Sequence, residues 1–184
     1  MENAQEYYQS FLNGDSAALE QIIRIHRDGL MLYLNGMVGD IQLAEELAED
    51  VFVKLVLKRP KFSGNSSFKT WLYAVGRNVA RDYFRRSKHH AVPLEECPEL
   101  SDDEKELEQS YIGREDRILI HRAIRQLKPQ YRQVLWLVYF EDFSLSDAAR
   151  IMGKTTHGAE TLAYRARKAL KEKLMQEGFV YENL

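Results

Sequence analysis

The sequence predicts an all-α protein, two small helical domains joined by a flexible acidic linker, with a helix-turn-helix in the second domain. Three observations carry that expectation. Glycine and proline punctuate a pattern in which apolar residues recur at helical spacing nearly from end to end. The charges are sorted by segment. Residues 145–164, LSDAARIMGKTTHGAETLAY, have the anatomy of two short helices meeting at a tight turn. At 184 residues the chain can hold one ordinary domain or two small ones. The division expected is 1–90, a linker at 91–117, and 118–184.

A short helix is expected over residues 4–12, ending at Asn13-Gly14. Asp15 or Ser16 can cap the next, in which Leu19, Ile22, Ile23, His26, Leu30 and Leu34 form a stripe closed by Gly36 and Gly39. Asp40 is a plausible cap for a third helix. There Leu43, Leu47, Val51 and Leu55 step by four, and Arg59-Pro60 stops the pattern. Its opposite face carries Glu45, Glu46, Glu49 and Asp50. Acids at such spacing repel one another unless a basic partner meets them, although a solvated acidic face is equally common.

The fourth helix follows the turn Ser63-Gly64-Asn65-Ser66-Ser67, with Ser66 or Ser67 as its cap. Phe68, Leu72, Val75, Val79 and Tyr83 give it an apolar face, and Trp71 sits beside them. Another face carries Arg77, Arg81 and Arg85 four residues apart, with Arg86 and Lys88 close behind. Such a helix suits a polyanion, although on this helix alone a core element with a solvated arginine face is equally consistent.

After it comes AVPLEECPELSDDEKELEQS, rich in carboxylates, with two of the four prolines, and too poor in apolar residues to fold alone. Ile120, Ala123, Ile124 and Leu127 then mark a helix before Lys128-Pro129. Pro129 suits a first helical position, and Tyr131, Val134, Leu135 and Val138 form the next stripe, broken near Asp142-Phe143. Ser144 and Asp147 make an S-x-x-D capping box for a helix that turns at Gly153. Thr155 or Thr156 caps the last helix, which buries Ala159, Leu162, Ala163, Ala166 and Leu170.

The net charge of -2 conceals the sorting. Residues 1–60 carry ten Asp/Glu and five Lys/Arg, whereas residues 61–90 carry one and seven. Residues 91–117 carry ten and three, and 118–184 carry seven and eleven. Two basic segments between acidic ones suggest separate surfaces for separate partners, nucleic acid among them.

Several function classes are set aside by the pattern. Ala148 to Thr155, AARIMGKT, fits a relaxed phosphate-loop motif, but it lies in an amphipathic helical pattern with no strand before it. The five histidines include no H-x-x-x-H pair, none follows a Glu by three residues, and no G-x-S-x-G occurs. No metal, cofactor or catalytic residue is therefore expected, and the protein is not expected to be an enzyme. His26 and His121 are expected at the core edge, and His89-His90 extend the basic stretch. Cys97 is the only cysteine, so no intrachain disulfide is expected and the cytoplasm is the expected compartment. No signal peptide is expected at the N-terminus, and the longest apolar run, Val134 to Phe140, is too short to span a bilayer.

In the helix-turn-helix reading, Ala149 sits at the close crossing and Gly153 at the turn, while Ala159 and Leu162 pack the second helix on the first. Thr156, His157, Glu160, Thr161 and Tyr164 then face a major groove, with Arg165, Arg167, Lys168 and Lys171 placed for phosphates. Lys154 departs from the apolar residue usual at its position.

These residues together resemble the extracytoplasmic-function (ECF) branch of the sigma-70 family of RNA polymerase sigma factors. The matches are AEELAEDVF (44–52), FKTWLYAVGRN (68–78) with D-x-x-R-R (82–86), AIRQLKPQYRQVLWLVYFEDFS (123–144) and YRARKAL (164–170). The resemblance implies that Glu45, Glu46, Glu49 and Asp50 meet the polymerase clamp, the polymerase flap being a second contact. It implies that Phe62 and Asn65 lie in a loop that pockets a flipped base, with Trp71 in the core rather than on DNA. It also implies that Lys69, Tyr73, Arg77, Asn78, Arg81, Arg85, Arg86 and Lys88 line the path of the opened -10 strand, cations on phosphates and rings on bases. The last helix would enter the -35 element. There the sequence departs from the family, with Ala159, Glu160, Thr161 and Leu162 where many members carry V-K-S-R; Glu160 could accept from a cytosine amino group. The implied partners are core RNA polymerase, promoter DNA and an anti-sigma factor, for a protein that is not itself in the membrane. The runner-up is a helix-turn-helix regulator that is not a polymerase subunit. It needs only residues 118–175 and leaves the Trp71 helix unexplained.

Overall fold

The computed structural model describes residues 4–87 and 115–176, and among them there are helices and no strands. Lys88, His89, His90, Cys97 and most of the acidic linker lie outside the described residues, as does the side chain of His121. The helices are α1 (Ala4–Leu12), α2 (Ser16–Val38), α3 (Ile41–Lys58) and α4 (Phe68–Ser87), then α5 (Glu115–Arg125), α6 (Pro129–Leu135), α7 (Leu145–Met152) and α8 (Thr156–Gln176). A π-helical turn, Trp136–Phe140, prolongs α6.

The helix ends follow local chemistry. Asp15 accepts from the Ala17 amide and Asp40 from the Leu43 amide, at 3.0 and 3.1 Å. Ser67, rather than Ser66, caps α4 by accepting from the Thr70 amide at 3.0 Å. Thr155, rather than Thr156, serves α8 through the Gly158 amide at 3.1 Å. Gly36 does not end α2, which runs on to Val38 and closes at Gly39, in the left-handed region at φ 75°. There a side chain would be strained.

In the first half, α2 is the central helix, packed against α1, α3 and α4. Ile22, Leu30 and Leu34 of α2 join Val51 and Leu55 of α3 and Leu72 of α4, all with no exposed surface. Gly76 lets α4 approach α2 closely, because a Cβ there would come within 2.8 Å of Leu30. Trp71 packs on Tyr8, Phe62 and Phe68 at ring separations of 5.3, 5.6 and 5.3 Å, which places it in the core as expected. His26 is buried against Phe68, and burial lowers its pKa to about 4, with the charge of Lys69 adding to the effect. In the second half, α5, α6 and α7 pack on α8.

The two halves are not separate bodies. Helix α2 also packs on α6, and α4 packs on α7, so the apolar cores run into one another. The charge pattern gave no warning of this contact, and it decides which of the expected surfaces face solvent.

Candidate nucleic-acid interface

The first surface is the cationic side of α4 with the loop before it. Arg81, Arg85, Arg86 and Asn78 are exposed. Arg85 makes an i, i+3 ion pair with Asp82 at 3.2 Å, a contact between exposed groups that costs little to exchange for a phosphate. Asn65 is exposed at the loop tip, and Phe62 is half-buried with its ring 5.7 Å from Phe68.

The N-terminal half of the same face is covered. Tyr73, expected on the strand path, has no exposed surface; it packs on Tyr33 and meets the edge of Phe143 at 5.0 Å. Lys69 Nζ lies 2.8 Å from Glu141 Oε2, donates to the Glu141 carbonyl at 2.9 Å and sits 4.8 Å from the centre of the Phe143 ring. Thr70 Oγ1 donates to Asp147 at 3.2 Å, and the Asn65 carbonyl accepts from Arg150. Arg77 lies against the turn of the helix-turn-helix, where a Cβ on Gly153 would come within 3.0 Å of its guanidinium. Burial there lowers its pKa below the usual arginine value, while Tyr33 favours its charge and Arg81 opposes it.

Helix α4's stripe therefore has two covers, and the periodicity of one domain showed only the first. Residues that sequence reasoning missed are Glu141, Phe143 and Arg150. Glu141 and Phe143 lie in the YFEDFS stretch, and their signal was the interruption of the α6 stripe near Asp142.

The second surface is the outer side of α8. Ser144 caps α7 through the Asp147 amide at 3.0 Å, and Gly153 closes α7 in the left-handed region at φ 61°. Ala148, Ala149, Ala159 and Ala163 are buried where α7 and α8 cross. That packing turns Thr156, His157, Glu160, Tyr164, Arg165, Arg167 and Lys168 to solvent, with Thr161 half-buried. The Glu160 carboxylate lies 3.7 Å from His157 on the next turn.

The third surface is on α3. Glu46, Glu49 and Asp50 are exposed, and Glu45 is half-exposed and paired with Arg27. An apolar strip continues the acidic face along the same side: Val53, Val56 and Leu57 are 50%, 42% and 72% exposed.

An arginine-faced aromatic helix in the first half and an outward helix-turn-helix in the second place the chain in the class of all-helical DNA-binding proteins. The family model for sigma-70 region 2 matches residues 22–90, and that for sigma-70 region 4 matches residues 117–170. The chain belongs to the sigma-70 family, in its extracytoplasmic-function branch, and is a sigma factor that directs RNA polymerase to promoters. Among curated relatives, RNA polymerase sigma factor YlaC of Bacillus subtilis is 26% identical over 159 residues, spanning 85% of this chain and 92% of its own. ECF RNA polymerase sigma factor SigW of Bacillus subtilis is 26% identical over 170 residues, spanning 88% and 91%. RNA polymerase sigma-H factor of Pseudomonas aeruginosa is 26% identical over 182 residues, spanning 94% of each.

Two solved structures share the fold. CnrH in complex with the cytosolic domain of CnrY superposes with a TM-score of 0.67 at 19% identity, covering 95% of this chain and 99% of that one. The sigma factor RpoE from Bartonella quintana, in complex with the anti-sigma factor NepR, superposes at 0.66 and 22% identity, covering 85% and 96%. No helix among the described residues is long and apolar enough to cross a membrane.

Proposed function

We propose that residues 1–90 bind the polymerase and open the -10 element, that 91–117 connect, and that 118–184 hold the -35 element. The observation that carries this reading is the basic face of α4, Arg77, Arg81 and Arg85, in one chain with the exposed second helix of a helix-turn-helix. Cations at a four-residue step follow a phosphate backbone, and the Phe62–Asn65 loop beside them is the place for an unstacked base. Helix α8 offers Thr156, His157, Glu160, Thr161 and Tyr164 to base edges. Arg165, Arg167 and Lys168 go to phosphates.

Polymerase docking falls to α3. Glu45, Glu46, Glu49 and Asp50 supply the charge, and the exposed strip Val53, Val56 and Leu57 adds apolar area to bury against the clamp. On this reading the protein acts without catalysing a reaction, in the cytoplasm with the polymerase. A regulator built on residues 118–175 alone would leave both α3 and α4 without a use. One of the similar folds, RpoE, was solved with an anti-sigma factor, which supports an anti-sigma factor as a partner here.

The test is reconstituted transcription on genomic fragments. With core polymerase, the purified protein gives promoter-specific transcripts. Arg77, Arg81 and Arg85 changed together to Ala reduce open complexes about 100-fold, on the order of 1 kcal/mol per lost phosphate contact, while polymerase binding survives. No transcript from any fragment overturns the reading. Loss of polymerase binding in the triple variant means that α4, not α3, is the docking surface.

A further inference from the structure

Helix α1 lies ahead of the stretch matched by the region 2 model, which begins at residue 22, and none of the three surfaces uses it. Its two buried aromatic residues nevertheless meet the same short segment, the exit from α3. Tyr8 donates its hydroxyl to the Pro60 carbonyl at 2.7 Å. Its ring packs on Phe68 and Trp71 at 5.2 and 5.3 Å. Phe62 rests on those same two rings, at 5.7 and 5.6 Å. Beside Tyr8, the Phe11 ring lies under the Arg59 guanidinium, 5.5 Å from its centre.

We propose that α1 braces the base-holding loop, and that Tyr8 is the positioning residue that sets where Phe62 and Asn65 stand. This rests on the assignment of that loop to an unstacked base.

The chemistry of the loop's root shows what the brace holds. Helix α3 ends at Arg59, which takes the left-handed region at φ 41° although it is not glycine. A side chain is disfavoured there unless its surroundings hold it. Phe11 holds the guanidinium, and Tyr8 holds the carbonyl of the very next residue. That residue is Pro60, whose ring fixes its φ and which has no amide to donate, so its carbonyl is the backbone group left to tie. From there the chain runs to Ser67 without helix or strand, with Gly64 at φ 74°. Ser67 fixes the far end by capping α4. The loop is thus pinned at both ends and presents Ser63, Gly64 and Asn65 to solvent between them. The Asn65 carbonyl also accepts from Arg150 in the second half, but the Tyr8 tie lies wholly within the first half and holds the root, not the tip.

Pinning has a consequence for binding. A flipped base has given up stacking and pairing, so a pocket that must also order itself holds that base more weakly. Removing the Tyr8 hydroxyl leaves the aromatic packing in place and frees the loop's root. The loss should be confined to the pocketed base, because Arg81, Arg85 and Arg86 stand on α4, outside the loop.

The experiment uses the full chain bound to core polymerase. The probe is a fluorescein-labelled single-stranded oligonucleotide carrying the non-template -10 strand of a promoter found by the transcription test. An abasic site is placed at each position in turn, and anisotropy titrations find where losing the base weakens binding most. The unaltered protein is compared with Tyr8→Phe and with a loop control carrying Phe62→Ala and Asn65→Ala. Tyr8→Phe should bind the intact strand about fivefold more weakly, the scale of one hydrogen bond. It should bind the strand that is abasic at the pocketed position as the unaltered protein does. Penalties at other positions, polymerase affinity and melting temperature should stay unchanged. If Tyr8→Phe fails to fold, Arg59→Gly, which accepts φ 41° freely and drops the contact with Phe11, should flatten the same position of the profile. A proportional loss on every oligonucleotide overturns the brace, since that is what a merely structural role produces. An unaltered abasic profile in Tyr8→Phe, while the loop control loses its peak, also overturns it. If the loop control keeps the peak, the loop assignment itself fails and takes the brace with it.

Discussion

Helices α4 and α8 carry the same kind of outer face, cations interleaved with aromatic and hydroxyl side chains, yet they meet solvent differently. On α8, Tyr164 is 63% exposed and the arginines around it face water. On α4, Tyr73 is fully buried and Lys69 is paired with the buried Glu141. Charge pattern therefore says what a face can bind, and tertiary packing says when. A duplex reader can stay open at all times, because nonspecific contact with DNA is part of its search.

The largest expected effect separates the two regions by acid. His26 lies beneath the α4 surface, against Phe68, with its pKa depressed to about 4 chiefly by burial and further by Lys69. Because the folded value lies below the unfolded one of about 6.5, the unfolded chain binds the extra proton. The stability that neutral His26 contributes is fully present above about pH 6.5 and is lost as pH falls towards 4. The loss amounts to about 3 kcal/mol in all, or about 1.4 kcal/mol per pH unit inside that window. Thermal melts between pH 7 and 5 measure it, with His26→Phe flattening the slope. Hydrogen exchange then locates it: α2 and α4 lose protection first, and α8 holds. Equal loss in both domains would make the shared core, rather than His26, the acid-sensitive element.

A smaller effect breaks the covered surface from beneath. Two glycines lie inside α2, seven residues apart, and their surroundings differ. Gly36 has only Arg132 Cβ nearby, at an ordinary 3.9 Å, whereas Gly29 faces the Glu141 carboxylate and the Tyr73 hydroxyl. Alanine at position 36 should therefore stabilise the protein by about 0.5–1 kcal/mol through helix propensity. Alanine at position 29 should destabilise it by about 2 kcal/mol through overpacking. Paired denaturant titrations read the two signs. The penalty at Gly29 should shrink in the background of Glu141→Ala, since the closest collision is with that side chain.

The contrast also shows what the sequence made legible. Asp15, Asp40, Ser144, Gly39 and Gly153 announced their helix ends because capping is local chemistry, complete within four residues. The helix-turn-helix was visible for the same reason: Ala149, Gly153 and Ala159 serve one crossing between neighbours in sequence. Tyr73 was assigned to the strand path by the family resemblance, and it stands off the apolar stripe of Phe68, Leu72, Val75 and Val79. That stripe records only the face α4 turns to its own domain. The second cover comes from residues some seventy positions later, and no period in α4 encodes it. Glu141 was unreadable for a related reason. Its direction depends on the π turn before it, and Trp136–Phe140 has the composition of an ordinary helix, so only packing distinguishes the two.

The smallest expected effect concerns the open surface. Arg165, Arg167 and Lys168 are exposed on α8, and each is assigned a phosphate. Changing all three to Ala should weaken promoter binding by the polymerase-bound protein about tenfold at moderate salt, with similar losses on every promoter tested. The slope of log affinity against log salt should become shallower by about three, because each lost contact releases one fewer counterion. Glu160→Gln supplies the complementary readout. If Glu160 accepts from a cytosine, the amide substitution relaxes discrimination at one base pair and leaves the salt slope unchanged. Filter binding over a salt series with promoter variants distinguishes the two. A loss confined to one base pair in the triple variant would show that these cations read sequence. A change of slope in Glu160→Gln would place its carboxylate beside a phosphate, where its removal relieves repulsion.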